Sequence, residues 1–304
     1  MEFSKEMFEK VPAEEKDLNT VVRPSMTYWQ DVWRRFRKNK LAMSGLIFVV
    51  FITLMAIFGP MLSRYNYYAQ DFSIANQGPS AQHWFGTDKF GRDIFVRILY
   101  GARISLTVGY VASILNLLIG VLYGGIAGYF GGKVDNIMMR IIDILYSIPM
   151  MIYVILIMVV VGSGLKSIII AIAIAFWLTM ARIVRGQIIS LKEQEFVLAA
   201  KTLGASSMRI LLRHLIPNAM GPIIVTLTLS VPDAIFTESF LSFIGLGISA
   251  PQASWGTLAS EALDSYQLYP TQLFFPAIAI CLTMLAFNFL GDGLREALDP
   301  KMRK

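Results

Sequence analysis

Asp233 and Glu238 carry the only charges in the stretch 217–244. An isolated carboxylate in hydrocarbon is costly, so each must face protein or a water-filled path. Two chemistries suit them. They could border a translocation pathway and contact a cation, such as a free amino end or a shuttling ion. They could instead pair structurally with Arg103 or with a residue of a neighbouring helix. Asp143 and Arg140, near the inner end of another apolar run, fit the structural role.

Other chemistries are excluded by residue type and spacing. No HExxH, GxSxG or paired intramembrane aspartate occurs, and Phe289-Leu-Gly-Asp-Gly293 ends an apolar run without a partner motif, so no enzyme is expected. His83, His214 and the single Cys281 are too few and too scattered for a zinc site, and one cysteine permits no internal disulfide. A nucleotide-binding P-loop needs GxxxxGK[ST]. The one Gly-Lys pair, Gly132-Lys133, lacks the upstream glycine and is followed by Val134, so this chain is expected to bind no ATP, magnesium or other cofactor.

The elements that carry these residues are membrane spans. Apolar residues make up 55% of the 304 positions, charged residues 16%, and mean hydropathy is +0.57. Soluble proteins carry about 25% charged residues. The formal charge of +6 is modest and its basic residues flank apolar runs, which points to a lipid bilayer and away from nucleic acid. Crossing the hydrocarbon takes about 20 helical residues. Six spans are predicted: Leu41–Leu62, Ile104–Tyr129, Ile141–Val161, Ser167–Ile183, Pro217–Ile244 and Gln272–Gly291. The second is rich in small residues (Gly120, Gly124, Gly125, Gly128), which suits a helix packed inside a bundle. Gly162, Ser163 and Gly164 predict a tight turn, and no internal repeat with broken helices is visible, which speaks against an ion-driven secondary transporter.

The polar residues 1–40 read as a cytoplasmic tail and not as a signal peptide, because the first apolar run begins only after Lys40. Arg34, Arg35, Arg37, Lys38 and Lys40 precede span one, and Arg295, Lys301, Arg303 and Lys304 follow span six, which places both termini in the cytoplasm. Residues 63–103 then form an extracytoplasmic segment, 104–293 a core of five spans with the cytoplasmic loop 191–217, and 294–304 a cytoplasmic tail.

That loop is chemically distinctive. Residues 192–203 favour a helix with Glu193 and Glu195 near its start, and Gly204 can end it in a left-handed conformation. Phe196, Ala199, Ala200 and Leu203 fall on one face, where two alanines leave a shallow surface for a partner's groove. A second helix is predicted over Ser206–Leu215, with Arg209 and Arg213 free for phosphates or acidic partners. The residues alone leave two readings open: a helix resting on the bilayer surface, or a docking element.

Four blocks carry a family resemblance. Ala199-Ala200, three residues, Gly204 and then Pro217 resembles the EAA loop of ABC-importer permeases, in the form AAKTLGAS…RHLIPN usual for peptide permeases. Leu198 stands where the motif has its glutamate, and His214 replaces an isoleucine. The segment 83–106 resembles the FGTDxxGRDxxxRxxxGAR signature of dipeptide and oligopeptide permease subunits, and residues 240–247 and 251–256 resemble two further blocks. By its residues, the 83–106 block suggests either a compact hydrogen-bonded lead-in to span two or a docking surface.

The resemblance implies an all-α type I ABC-importer permease (MetI-like) fold in a bacterial inner membrane. It implies a subunit that passes dipeptides or oligopeptides inward, with nickel or another small solute as the alternative cargo. The implied partners are a second, homologous permease subunit, two cytoplasmic ATPase subunits that bind ATP and magnesium, and an extracytoplasmic peptide-binding protein. The implied ATPase-coupling residues are Glu195, Phe196, Ala199, Ala200, Lys201, Leu203, Gly204, Ala205, Ser206 and Arg209.

Overall fold

A computed structural model describes residues 27–162, 164–248 and 250–299. Most of the expected N-terminal tail, Ser163 of the expected turn, and Lys301, Arg303 and Lys304 lie outside the described residues.

The described chain is almost entirely helical. Helix α1 (Tyr28–Lys38) precedes α2 (Lys40–Leu62), and a loop with one 3-10 turn (Phe72–Ile74) leads to α3 (Ile94–Phe130). Then come α4 (Gly132–Ser147), α5 (Met150–Val161), α6 (Leu165–Leu191), α7 (Glu195–Thr202), α8 (Ser207–Ile210) and a π turn (Leu211–Leu215). The last elements are α9 (Ile216–Asn218), α10 (Met220–Leu241), a π turn (Ser242–Leu246), α11 (Trp255–Ala262) and α12 (Thr271–Leu298). Helices α2, α3, α6, α10 with its π turn, and α12 are each long and apolar enough to cross a membrane. Backbone groups in lipid must be satisfied within the segment, which is why these runs are helices.

The third span departs from expectation. The continuous helix predicted over Ile141–Val161 is two helices, α4 and α5, bent by 87°. Pro149 explains the break: it disfavours helical backbone at the residue before it, and Ile148 is extended (φ −91°, ψ 127°). A broken helix is thus present although the sequence showed none. Helix α3 also begins ten residues before the predicted Ile104, inside the segment predicted as extracytoplasmic. Asp93 starts it, its Oδ1 accepting from the Val96 amide at 2.8 Å. Helices α6 and α12 likewise run past the predicted Ile183 and Gly291, ending at Leu191 and Leu298.

Gly120, Gly124 and Gly128 of α3 face α6, and Gly125 faces Leu211 and Ile216. A Cβ added at Gly124 would lie 2.2 Å from the Ala181 carbonyl oxygen, and one at Gly120 would lie 2.5 Å from the Met180 Cβ. Only glycine admits this approach, which supplies the dispersion contacts that hold helices together in lipid. Gly124→Val is therefore expected to destabilise the folded chain by about 3 kcal/mol. A thermal melt in detergent, with Gly186→Ala as a control whose added Cβ meets no atom within 4 Å, checks this.

One end of the bundle is tied twice. Asn39 Nδ2 donates to Glu296 Oε2 at 2.8 Å, joining the start of α2 to the end of α12. Lys192 Nζ donates to the Gly128 carbonyl at 3.0 Å, joining the end of α6 to the end of α3. Because successive spans alternate in direction, α1, α7 and the end of α12 share one face, and α11 and the 63–93 loop share the other.

Candidate coupling surface and intramembrane cavity

Helix α7 is closed by the glycine the sequence marked. Gly204 adopts φ +79°, its amide donates to the Lys201 carbonyl at 2.9 Å, and the Ala205 amide donates to the Ala200 carbonyl at 3.0 Å. These two bonds complete a left-handed cap and fix where the chain turns. Ser206 then caps α8, its Oγ accepting from the Arg209 amide at 3.4 Å. Pro217 has no N–H for the Arg213 carbonyl, and the predicted second helix widens into its π turn just before this residue.

The exposed face of α7 differs from the predicted one. Val197 and Ala200 turn inward and pack with Ile188, Ile210, Leu211 and Leu215. Leu198 is 65% exposed and Leu203 87%, and Phe196 and Ala199 are exposed beside them. Ala200 is therefore the buried seat of the helix, and Leu198 joins the outward surface that sequence spacing had assigned to Phe196, Ala199, Ala200 and Leu203. Glu195, Lys201, Gly204, Ser206 and Arg209 are exposed, and Ala205 is half-buried. The physical reason is tertiary: the chain returns through Ile210 to Leu215, and those side chains need a covered apolar partner.

A cavity of about 640 Å³ lies where α4 and α5 break, walled by α6 and α10, with α3 as its floor. Asp233 lines it and is exposed, with no ion pair among the described residues. Glu238 does not line it. Its carboxylate is fully enclosed, accepting from Ser105 Oγ at 2.9 Å and from Ser242 Oγ at 2.7 Å. Ser254 Oγ donates to Ser242 Oγ at 3.3 Å, and the Trp255 amide donates to Ser105 Oγ at 3.3 Å, so the glutamate ties α3 and α10 to the start of α11. The structural partner considered for these acids, Arg103, is engaged elsewhere. It donates to the carbonyls of Ala56 (3.1 Å) and Ile57 (2.8 Å). Pro60 cannot donate to the Ala56 carbonyl, so Arg103 satisfies a group that the proline orphans. Asp143 pairs with Arg182 at 2.8 Å.

The 83–106 block forms a buried ion network. Asp88 accepts from Arg92 Nε and from Arg97 Nη1, each at 2.7 Å. Glu261 of α11 accepts from Arg92 Nη2 at 2.9 Å and from Arg97 Nη1 at 2.8 Å. His83 Nδ1 lies 2.8 Å from Asp93 Oδ2, completing the lead-in to α3. The structural role considered for this block matches the geometry. Glu261 was missed by sequence reasoning, since it lies 164 residues from Arg97. Asn116, on the floor of the cavity, was also missed, although a polar residue inside an apolar span was its visible signal.

Comparison with known proteins gives consistent matches. Residues 120–304 match the family model described as binding-protein-dependent transport system inner membrane component, and residues 27–79 match the N-terminal TM domain of oligopeptide transport permease C. The oligopeptide transport system permease protein OppC of Bacillus subtilis is 57% identical, over 99% of this chain and 98% of the relative. The dipeptide transport system permease protein DppC of the same organism is 55% identical, over 95% of this chain and 91% of the relative. Among solved structures, an inward-facing MetNI methionine ABC transporter superposes with a TM-score of 0.55 at 20% identity, over 68% of this chain and 98% of that chain.

Proposed function

This chain belongs to the family of inner membrane components of binding-protein-dependent transport systems, within its dipeptide and oligopeptide ABC permeases, and we propose from that premise that it conducts peptides inward under the drive of separate ATPase subunits. The matched families are transport components, not enzymes. The single observation that carries the coupling half of the proposal is α7. It is a short helix seated through Val197 and Ala200 on the end of α6, α8 and the π turn that follows, and it presents Phe196, Leu198, Ala199 and Leu203 outward.

A partner groove that grips this surface moves the bundle, because the seat of α7 is continuous with the core between α6 and α10. ATP binding by the partners would then shift the balance between two global states of the spans. This reading puts the α7 face and both termini in the cytoplasm, in keeping with the basic residues around α1. It assigns a second, homologous permease subunit, two ATPases and an extracytoplasmic binding protein as partners. Asp233, opening on the cavity, borders the pathway. Glu238 holds α3, α10 and α11 together beside it.

Reconstitution of this chain with its companion permease and ATPases into vesicles tests the reading. Peptide uptake is expected to stop when ATP is removed and to continue when ion gradients are collapsed. Uptake that follows the gradient, or uptake of nickel in place of peptide, would overturn it.

A further inference from the structure

The floor of the cavity holds an amide with nothing to bond. Asn116 of α3 is 1% exposed; its Oδ1 and Nδ2 are enclosed just beneath the cavity surface in this state, to be reached when the cavity opens, and neither has a partner among the described residues. Buried polar groups are almost always paired, so an orphaned donor and acceptor on one side chain requires an explanation. A packing explanation is poor, because leucine would fill the same space without the desolvation penalty. Four neighbouring cavity hydroxyls differ in this respect. Thr226 and Ser230 donate to the Pro222 and Leu227 carbonyls at 2.8 Å, and the Tyr146 hydroxyl shares a 3.1 Å hydrogen bond with Thr179. Those groups are spent. Asn116 and Asp233 are not.

A side-chain amide presents a donor and an acceptor side by side, which is the complement of one peptide unit. A substrate N–H can donate to Oδ1 while its carbonyl accepts from Nδ2. We propose that the cavity is a peptide main-chain subsite, in which Asn116 pairs with a peptide unit of the substrate and Asp233 holds its α-ammonium group. The inference rests on the peptide-import reading and deepens it. Pairing with the main chain ignores side-chain identity, while Tyr153, Phe176 and Phe236 offer apolar faces to whatever side chains arrive. At about 640 Å³ the cavity falls in the range, about 300–1,000 Å³, of sites that enclose small ligands. The break between α4 and α5 forms one wall, so a change in that bend would open or close the subsite.

The test uses the complete transporter in vesicles, with one tripeptide supplied in free-amine and N-acetylated forms. Asn116→Leu removes both hydrogen-bonding atoms at similar volume. It is expected to hold or raise the Tm of the assembled complex while lowering tripeptide uptake about tenfold or more. Asp233→Asn is expected to abolish the preference for the free-amine form that the unsubstituted complex shows. A lowered Tm in Asn116→Leu, with uptake falling only in step with the assembled fraction, would make Asn116 a packing residue and overturn the inference. Undiminished uptake in Asn116→Leu would overturn it as well, as would a free-amine preference that persists in Asp233→Asn. An unsubstituted complex that imports no peptide would instead defeat the peptide assignment itself.

Discussion

Arg97→Met is expected to cost about 3–5 kcal/mol of stability, because it leaves buried carboxylates with too little positive charge. Arg97 is 3% exposed and bridges Asp88 of the 83–106 block to Glu261 of α11. With Arg92 the four side chains form a neutral set of two guanidinium groups and two carboxylates. Methionine fills much of the same volume but removes one positive charge. One positive charge then serves two carboxylates, Asp88, which is buried, and Glu261, whose side chain is 33% exposed. The expected readouts are a lowered Tm in detergent and faster proteolysis of the 63–93 loop, since Arg97 fastens that loop to α11. The double variant R97M, E261Q tests the cause, because it leaves Arg92 paired with Asp88 alone at 2.7 Å. If unpaired charge is responsible, restoring neutrality should recover part of the lost stability. A double variant less stable than R97M would show that hydrogen-bond geometry dominates.

Leu203→Asp is expected to lower ATP-dependent peptide uptake about a hundredfold while the permease still folds. Leu203 is 87% exposed in the isolated chain, so the folded bundle gains little from it. At a docked interface the same position would be desolvated, where a carboxylate is heavily penalised. The structure also sharpens which positions of α7 should reach a partner. After Cys281→Ser removes the native thiol, a cysteine introduced at Ala199 is expected to crosslink to an ATPase subunit in intact membranes. One introduced at Val197, which is fully buried, is not. Equal crosslinking from both positions would mean that α7 does not sit on the bundle as described. Crosslinking from neither would remove the coupling role.

Much of the fold was legible in the sequence because it is enforced locally. A run such as Leu41–Leu62 has one way to satisfy its backbone in lipid, so composition and length imply a helix. Gly204 could be read as a stop because the left-handed region favours glycine, and the helix does end against it. The glycines of span two announced a close contact without naming its partner, α6. Boundaries were less legible. The start of α3 depends on a cap by Asp93, and aspartates occur in loops and caps alike. Pro149 was visible, yet a proline in a span can kink it or break it. The 87° bend follows from packing α4 against α6 near Leu178 and Ala181, and α5 against Ile168 and Ile172.

Unaided, then, the sequence determined what depends on neighbours along the chain: five continuous apolar spans, a basic flank and the glycine that ends α7. The tertiary structure alone decided what depends on residues far apart. It joined Arg97 to Glu261, enclosed Glu238 among three serines, left Asp233 on a cavity, and turned Ala200 inward. The reason is physical. Covalent geometry fixes which side chains are three or four apart on a helix, but which face is buried depends on the surface that packing brings against it, and that surface comes from another part of the chain.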